Sequence, residues 1–218
     1  MPETSKTFNF SLTVEDMVSE AYERCGYDPN LLTQYDAQTA RRSLNLLFSE
    51  WSVRGINFWK LVKDSFVTKT GQATYQLPKG TVDIFAATLR RSDIDTTMQR
   101  ISIIDYHEIP NKIITGKPSV FYIDRQIRVA MTLWQVPENN TDTIQYWRWD
   151  QLEDIDLAFQ EIDAPYRWTE AVCSGLAAKL AVKKSPEKLQ FLAPLADKAF
   201  LFANDDEREK AALRIIPG

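Results

Sequence analysis

The chain has 218 residues and a formal net charge of −4, and 44% of its residues are hydrophobic, including eleven Phe, eight Tyr and six Trp. This composition supplies a globular core and excludes a disordered chain. The acidic balance disfavours tight non-specific binding to nucleic acid, because neutralising phosphates requires clustered Lys and Arg.

No stretch of the sequence approaches the ~20 consecutive apolar residues that a membrane-spanning helix requires, and neither end has the pattern of a targeting segment. We therefore expect an unprocessed cytoplasmic protein. The two cysteines, Cys25 and Cys173, each fall on the apolar stripe of a predicted helix. Free buried thiols are expected rather than a disulfide or a metal site.

The N-terminal part predicts two helices. Residues 1–12 form a polar arm that leads to a helix cap at Thr13, apolar residues follow with helical spacing, and Gly26 supplies a left-handed C-terminal cap. A second helix is expected to begin with Asp36 as its N-cap and to end at Gly55. Its apolar stripe consists of Ala37, Ala40, Leu44, Leu47, Phe48 and Trp51. The two helices are expected to form an antiparallel pair.

From residue 58 the pattern changes to that of β-strands separated by turn residues. Strands are predicted over 59–62, 65–68, 75–77, 82–90, 119–123, 127–133 and 143–149. A helix of one or two turns is expected over 104–109, because Pro110 ends it. The last two strands flank a polar loop, Pro-Glu-Asn-Asn-Thr-Asp, and are interpreted as the closing strands.

Helical spacing returns at Pro165, which is suited to a first turn. Lys183 and Lys184 close this helix favourably against its dipole. Ser185 and Pro186 then have the signature of another helix start. The apolar stripe of this last helix consists of Leu189, Leu192, Ala196, Ala199, Phe200 and Ala203.

These elements predict an α+β fold, in which an antiparallel helical bundle carries an inserted β-rich lobe. The bundle comprises 13–57 and 164–212, the β-rich domain is 58–163, and 213–218 is a docking tail. Each flanking helix is taken to have a single apolar face, so the early and late helices can bury these faces against one another. The expected core residues are Trp51, Trp168, Leu44, Phe48 and Leu176.

The helix motifs resemble a known family. The pattern D-M-V-x-x-A-Y-x-x-C-G over 16–26, followed by A-R-R-S-L-N-L-L-F-x-E-W-x-x-R-G over 40–55, resembles the opening helices of head-to-tail adaptor proteins of tailed double-stranded DNA bacteriophages. Further segments resemble the same family in order along the chain. They are Ala73–Pro78 with Val82–Ile84, Ile109–Lys112 with Gly116–Pro118, Gly175–Ala177 with Leu180–Ala181, and Asp205–Arg208.

The resemblance implies a structural virion protein in the neck between capsid and tail. It implies a ring of twelve copies below the portal that extends the DNA channel, with the portal protein and a tail or nozzle protein as partners. Double-stranded DNA would be passing cargo, and like charge would keep its backbone off an acidic wall. No membrane partner is expected, and assembly would take place in the host cytoplasm.

The end of the chain is the candidate contact with the portal or with a neighbouring subunit. A short apolar segment that follows a charged helix end is difficult to solvate as a free tail. The candidate interface residues are Leu213, Arg214, Ile215, Ile216, Pro217, Asp205, Asp206 and Arg208.

Catalytic, cofactor and metal sites are not expected. The single histidine, His107, has no second His or Cys pair to complete a zinc site. The Gly116–Ser119 segment lacks the Walker spacing and is interpreted as a turn. No Gly-x-Ser-x-Gly elbow occurs. The carboxylates of residues 205–207 are contiguous on a helix and point in different directions, so they are not expected to converge on a magnesium ion. The alternative interpretation is an ion pair with a basic residue on a neighbouring subunit.

Residues 146–150 alternate aromatic and charged side chains, as single-strand binders do. On a strand, however, Trp147 and Trp149 would share one face, which is ordinary half-buried alternation. Two other functions remain open at this point. One is a small phage-encoded metal-dependent nuclease or other DNA-processing enzyme, and the other is a monomeric regulatory binding module.

Overall fold

The computed structural model describes residues 6–7, 10–54, 58–156 and 159–206. Its helices and its antiparallel and mixed sheets confirm the predicted α+β class. The chain divides into two compact units. The helical unit contains the residues up to Trp59 and from Leu152 onward, and the β unit is Lys60–Gln151.

The described residues form five α-helices and ten strands. The helices are α1 Val14–Arg24, α2 Gln34–Arg54, α3 Ile103–Glu108, α4 Thr169–Lys184 and α5 Leu189–Asp206. The strands are β1 Leu61–Val67, β2 Thr74–Gln76, β3 Thr81–Arg91, β4 Ile94–Thr97, β5 Gln99–Arg100, β6 Thr115–Gly116, β7 Val120–Asp124, β8 Ala130–Trp134, β9 Val136–Pro137 and β10 Thr143–Asp150.

Helix α1 begins and ends as predicted. Thr13 Oγ1 accepts a hydrogen bond from the Asp16 backbone N–H at 3.2 Å, and the Asp16 carboxylate accepts one from the Thr13 N–H at 3.0 Å. This reciprocal pair is a capping box, which satisfies two helix-end donors. Gly26 has a φ of +84°, the left-handed conformation that glycine adopts without steric cost.

The start of α2 corrects one prediction. Thr33, not Asp36, is the N-cap, because its hydroxyl accepts from the Asp36 N–H at 3.2 Å while the Asp36 carboxylate accepts from the Thr33 N–H at 3.0 Å. Asp36 is therefore the third helical residue of a second capping box. The predicted end at Gly55 lies outside the described residues. Ala37, expected on the apolar stripe, is exposed, because it belongs to the first turn beside the cap.

Helix α4 is the centre of the helical unit. Its residues from Ala171 to Ala177 are all buried, and α1, α2 and α5 all pack against it. The expectation that each flanking helix has a single apolar face is therefore wrong for α4. A helix surrounded by other helices buries every side. The expected antiparallel pairing of α1 with α2 is not the main contact of either helix, since both helices pack mainly on α4.

The core of the helical unit combines residues from both ends of the chain. The Trp51 ring centroid lies 5.2 Å from that of Trp168 and 5.4 Å from that of Phe200. All five residues that the sequence placed in the helical core are at most 4% exposed. This aromatic cluster joins α2, the turn before α4, and α5.

The boundary after the β unit lies earlier than the predicted residue 163. Leu152 and Ile155 bury their side chains in the helical core. The Asn45 side chain accepts from the Ile155 N–H at 2.9 Å and donates to the Ile155 carbonyl at 3.3 Å. Because one amide side chain satisfies both backbone groups, this extended segment is held against α2.

The β unit contains two four-stranded sheets, with the orders β1-β10-β3-β4 and β2-β8-β7-β5, and a parallel pair, β6-β9. The predicted segments 59–62 and 65–68 fall largely on the single strand β1, which pairs with β10. The two predicted closing strands, β8 and β10, belong to different sheets. The sheet to which a strand belongs depends on pairing with residues far away in the chain, and a local sequence pattern does not contain that information.

The strands β4, β5, β6 and β9 were not predicted. The turn between β3 and β4 places Ser92 and Asp93 at φ values of +50° and +62°, which is the conformation of a tight hairpin turn. Gly116, interpreted as part of a turn, pairs with Pro137 as part of β6. The interior of the unit is closed by large apolar side chains. These include Ile84, Leu89, Phe121, Leu133 and Ile144, each at most 1% exposed.

Candidate functional site

The predicted contact residues lie at the end of α5 and beyond. Asp205 and Asp206 are exposed in its last turn. The Arg167 Nε lies 3.9 Å from the Asp206 carboxylate, so this acidic end is bridged within its own chain. Arg208 and the residues Leu213, Arg214, Ile215, Ile216 and Pro217 lie outside the described residues.

The outward side of α5 carries an apolar surface that the sequence analysis missed. Phe191, Leu195 and Phe202 are 67%, 56% and 65% exposed, and Lys198 lies among them. We call these four residues the α5 stripe. Their spacing of i, i+4, i+7 and i+11 is the sequence signal for this exposed surface. It was overlooked because the buried stripe of α5 already explained the amphipathic pattern of the helix. Clustered exposed apolar side chains mark interaction surfaces.

A groove lies between the starts of α1 and α2. Val14, Val18 and Ala37 supply its apolar lining. Glu15, Arg41 and Asp156 supply its charged lining, and its volume is about 280 Å³. We call this the α1–α2 groove. No sequence pattern indicates this groove, because it depends on how the two helices and residue 156 come together.

Ion pairs fix the helices that carry these surfaces. Arg24 of α1 donates to both Glu170 oxygens of α4, at 2.7 and 2.9 Å. The hydrogen bond to Glu170 raises the pKa of Arg24, and the guanidinium stays charged.

Asp36 links α2 to the end of α4. Its carboxylate accepts from the Lys184 ammonium at 2.6 Å and from the Thr33 hydroxyl at 2.6 Å. The hydrogen bond to Lys184, followed by those to Thr33, lowers the pKa of Asp36 to about 2. Lys183 donates to the Ser43 hydroxyl at 2.7 Å. Both lysines predicted to close α4 thus tie it to α2.

Charged side chains in the β unit form ion pairs with one another. Asp83 pairs with Arg100 at 3.0 Å and also with Arg125. Arg91 pairs with the buried Asp142 at 2.6 Å. These networks hold strands and loops together, and buried charges require such partners.

Strand β10 departs from its predicted alternation. A register shift between Trp147 and Arg148 places a β-bulge there, so residues on the two sides of the bulge no longer alternate strictly. Trp147 is 43% exposed. The Trp149 ring packs edge-on against Phe85, with ring centroids 5.5 Å apart.

The residues weighed as catalytic or metal ligands do not converge. His107 is exposed on α3. Within the described ranges, no group of three or more His, Cys, Asp or Glu side chains could hold a metal ion. A side-chain carbon at Gly116 would lie 2.2 Å from the Gln135 amide oxygen, so the space beside the Gly116 backbone is occupied by the Gln135 side chain.

Both cysteines are free and buried, as predicted. Cys25 Sγ donates to the Ala177 carbonyl at 3.4 Å. Burial raises the pKa of Cys173 to about 11, so its thiol stays protonated at neutral pH. Among the helices that the structure describes, none is long and apolar enough to cross a membrane.

Comparison with known proteins identifies the family. No curated protein matches the chain. The family model of the SU10 adaptor protein matches residues 13–213, which covers both units. The resemblance seen in the helix motifs is thereby confirmed. The chain belongs to the SU10 adaptor protein family and is a bacteriophage adaptor protein.

Proposed function

We propose that the protein is a head-to-tail adaptor of the virion neck. Copies of the chain form a ring below the portal, extend the DNA channel and connect the capsid to the tail or nozzle protein. The match to the SU10 adaptor family over residues 13–213 carries this proposal. The subunit count of twelve comes from the family resemblance.

The surface chemistry supports an assembling protein. A closed ring requires each subunit to present two different complementary faces, and the helical unit presents both an exposed apolar stripe and a groove. The net charge of −4 suits a wall along which DNA slides, because like charge keeps the phosphate backbone from adhering.

The tail over 213–218 is the proposed anchor to the portal or to a neighbouring adaptor, together with Asp205, Asp206 and Arg208. Leu213, Ile215 and Ile216 are apolar and follow a charged run. Docking would bury these apolar side chains, and that burial would stabilise the contact.

Truncation tests this anchor. A chain that lacks residues 213–218 should fold, unfold at the parent temperature, and fail to attach stably to portal rings in negative-stain images. A full-length variant with Leu213, Ile215 and Ile216 changed to Ser should fail in the same way, which separates lost apolar contacts from lost length. Unchanged ring occupancy by both variants would show that the tail is not the anchor.

No specific observation favours the nuclease or the regulatory module. Imaging and activity assays of the purified protein, with and without portal, distinguish these two functions from that of an adaptor. Magnesium-dependent DNA cleavage that Asp205→Ala abolishes would support the nuclease. A chain that stays monomeric beside intact portal rings would support the regulatory module.

A further inference from the structure

The α5 stripe has the spacing of a helix–helix seam. Positions separated by i, i+4, i+7 and i+11 fall on one side of a helix and meet a partner helix along its length. The other side of α5 is already occupied, because Leu192 and Ala203 pack in the core of the helical unit. The three apolar residues of the stripe remain at least 56% exposed.

The α1–α2 groove is suited to receive such a face. Val14 and Val18 come from one helix and Ala37 from the other, so the groove runs between two helices. An apolar helix face that lies in a groove between helices is a recurring mode of recognition. Ala37 is exposed in the free chain, and a covering helix would bury it.

The charges of the two surfaces are complementary. Lys198, in the middle of the stripe, lies 5.5 Å from the Phe202 ring and makes no ion pair with any described residue. Of the three charged groups at the groove, Arg41 donates to the Asp156 backbone carbonyl at 2.7 Å. The carboxylates of Glu15 and Asp156 form no ion pair with the residues described, so the groove presents a net negative charge to a lysine.

We propose that the α5 stripe of one copy packs in the α1–α2 groove of the next copy, with Lys198 facing Glu15 and Asp156. Stripe and groove are different surfaces of the same helical unit, so the contact is head-to-tail and can repeat around a closed ring. The inference rests on the proposed ring and assigns its subunit contact to named residues.

Cysteine cross-linking tests the contact directly. Leu195→Cys and Ala37→Cys are made as separate variants, since both native cysteines are only 2% exposed. Mixed on portal rings with a short bismaleimide, they should give covalent adaptor dimers. Leu201→Cys is the matched control, because Leu201 is 58% exposed on the same helix but lies off the stripe. It should not cross-link to Ala37→Cys.

Two cross-linking results would overturn the inference. Dimers of Leu195→Cys by itself would show that two α5 stripes meet each other. Intact rings without any dimers of the mixed variants would show that the stripe meets another partner, such as the portal.

Charge reversal supplies an independent test. Lys198→Glu and Glu15→Lys should each raise the protein concentration needed for half-maximal ring formation by about tenfold. The double variant should form rings at a lower concentration than either single variant, because positions 198 and 15 again carry opposite charges while the Asp156 carboxylate still opposes the new charge at position 198. Single variants that match the parent, or a double variant worse than both, would overturn the inference.

The parent chain is imaged with its portal first. If no rings form, the proposed function fails, and the inference fails with it. If rings form and survive Lys198→Glu, Glu15→Lys and Leu195→Glu alike, the inference alone fails. Unfolding temperatures equal to that of the parent establish that the variants fold.

Discussion

Single residues at helix ends and in the aromatic cluster show how local chemistry determines this molecule. Thr13 was identified from sequence because a hydroxyl residue before an apolar run can satisfy helix-end donors. Thr33 was missed because Asp36 is an equally good cap residue by type. Only the two reciprocal hydrogen bonds between them distinguish N-cap from third position.

At this scale Trp51 is expected to be a major contributor to stability. It is 4% exposed and contacts the rings of Trp168 and Phe200. Trp51→Ala should lower the free energy of unfolding by about 3–5 kcal/mol, through lost burial and the cavity left behind. Trp147→Ala, at a 43% exposed position, should cost about 1 kcal/mol or less. Urea unfolding followed by circular dichroism measures both, and equal midpoints for the two variants would contradict the prediction.

Asp36 should make the free energy of unfolding depend on pH in the acid range. Its pKa is lowered to about 2 in the folded chain, first by Lys184, and lies near 3.9 in an unfolded chain. A depressed folded pKa contributes stability above the unfolded pKa, and this contribution is lost as the pH falls towards the folded pKa.

The parent should therefore be more stable than Asp36→Asn at pH 7, and this difference should shrink as the pH falls from about 5 to 2. Thermal unfolding across that range measures it. Asp197→Asn is the control, since the Asp197 carboxylate is exposed on α5 and has no hydrogen bond to the described residues. A constant difference between the parent and Asp36→Asn would show that the Lys184 contact contributes nothing.

Among the elements, α4 organises the helical unit by close approach. Gly175 faces α2, and a side-chain carbon there would lie 2.9 Å from Leu47 Cδ2 and 3.4 Å from Trp51 Cζ2. The glycine lets the two helices approach at their crossing. Sequence analysis named Gly175 only within a segment that resembles the family, and the reason for a glycine there becomes visible only with Leu47 opposite.

Gly175→Ala tests which effect dominates at this crossing. Alanine favours a helix over glycine by about 1 kcal/mol, whereas overpacking a filled core costs about 1–3 kcal/mol. Because Leu47 is 4% exposed and confined, we expect a net loss of about 1 kcal/mol in unfolding free energy.

A double-mutant cycle isolates the cause. In a Leu47→Ala background, Gly175→Ala should become stabilising, since the steric conflict is gone and the helix preference remains. Denaturant unfolding of the four chains measures the coupling. The same effect of Gly175→Ala in both backgrounds would show that Leu47 is not the obstacle.

For the whole molecule, the two units have separate hydrophobic cores. The core residues of the β unit all lie between Tyr75 and Tyr146. The two ends of the β unit lie side by side, because Leu61 of β1 pairs with Trp149 of β10. An inserted segment with its own core and adjacent ends meets the criteria for a domain.

A fragment of residues 60–151 should therefore fold by itself. We expect one cooperative thermal transition and dispersed amide proton signals in NMR spectra. The same fragment with Ile144→Asp serves as the control, because it places a charge where a fully buried side chain stands and should not fold. A non-cooperative transition of the unaltered fragment would show that the β unit depends on the helices.

The sequence by itself determined the α+β class, the helices α1, α2, α4 and α5, the longer strands, the free thiols and the family resemblance. These depend on local periodicity, capping residues and composition, which are written along the chain. Tertiary structure decided the pairing of β1 with β10, the central place of α4, and the attachment of Leu152 and Ile155 to the helices. It also decided which apolar faces stayed exposed. Those outcomes depend on contacts between residues far apart in sequence. A periodic pattern predicts that a face is apolar, but it does not predict which element packs against that face.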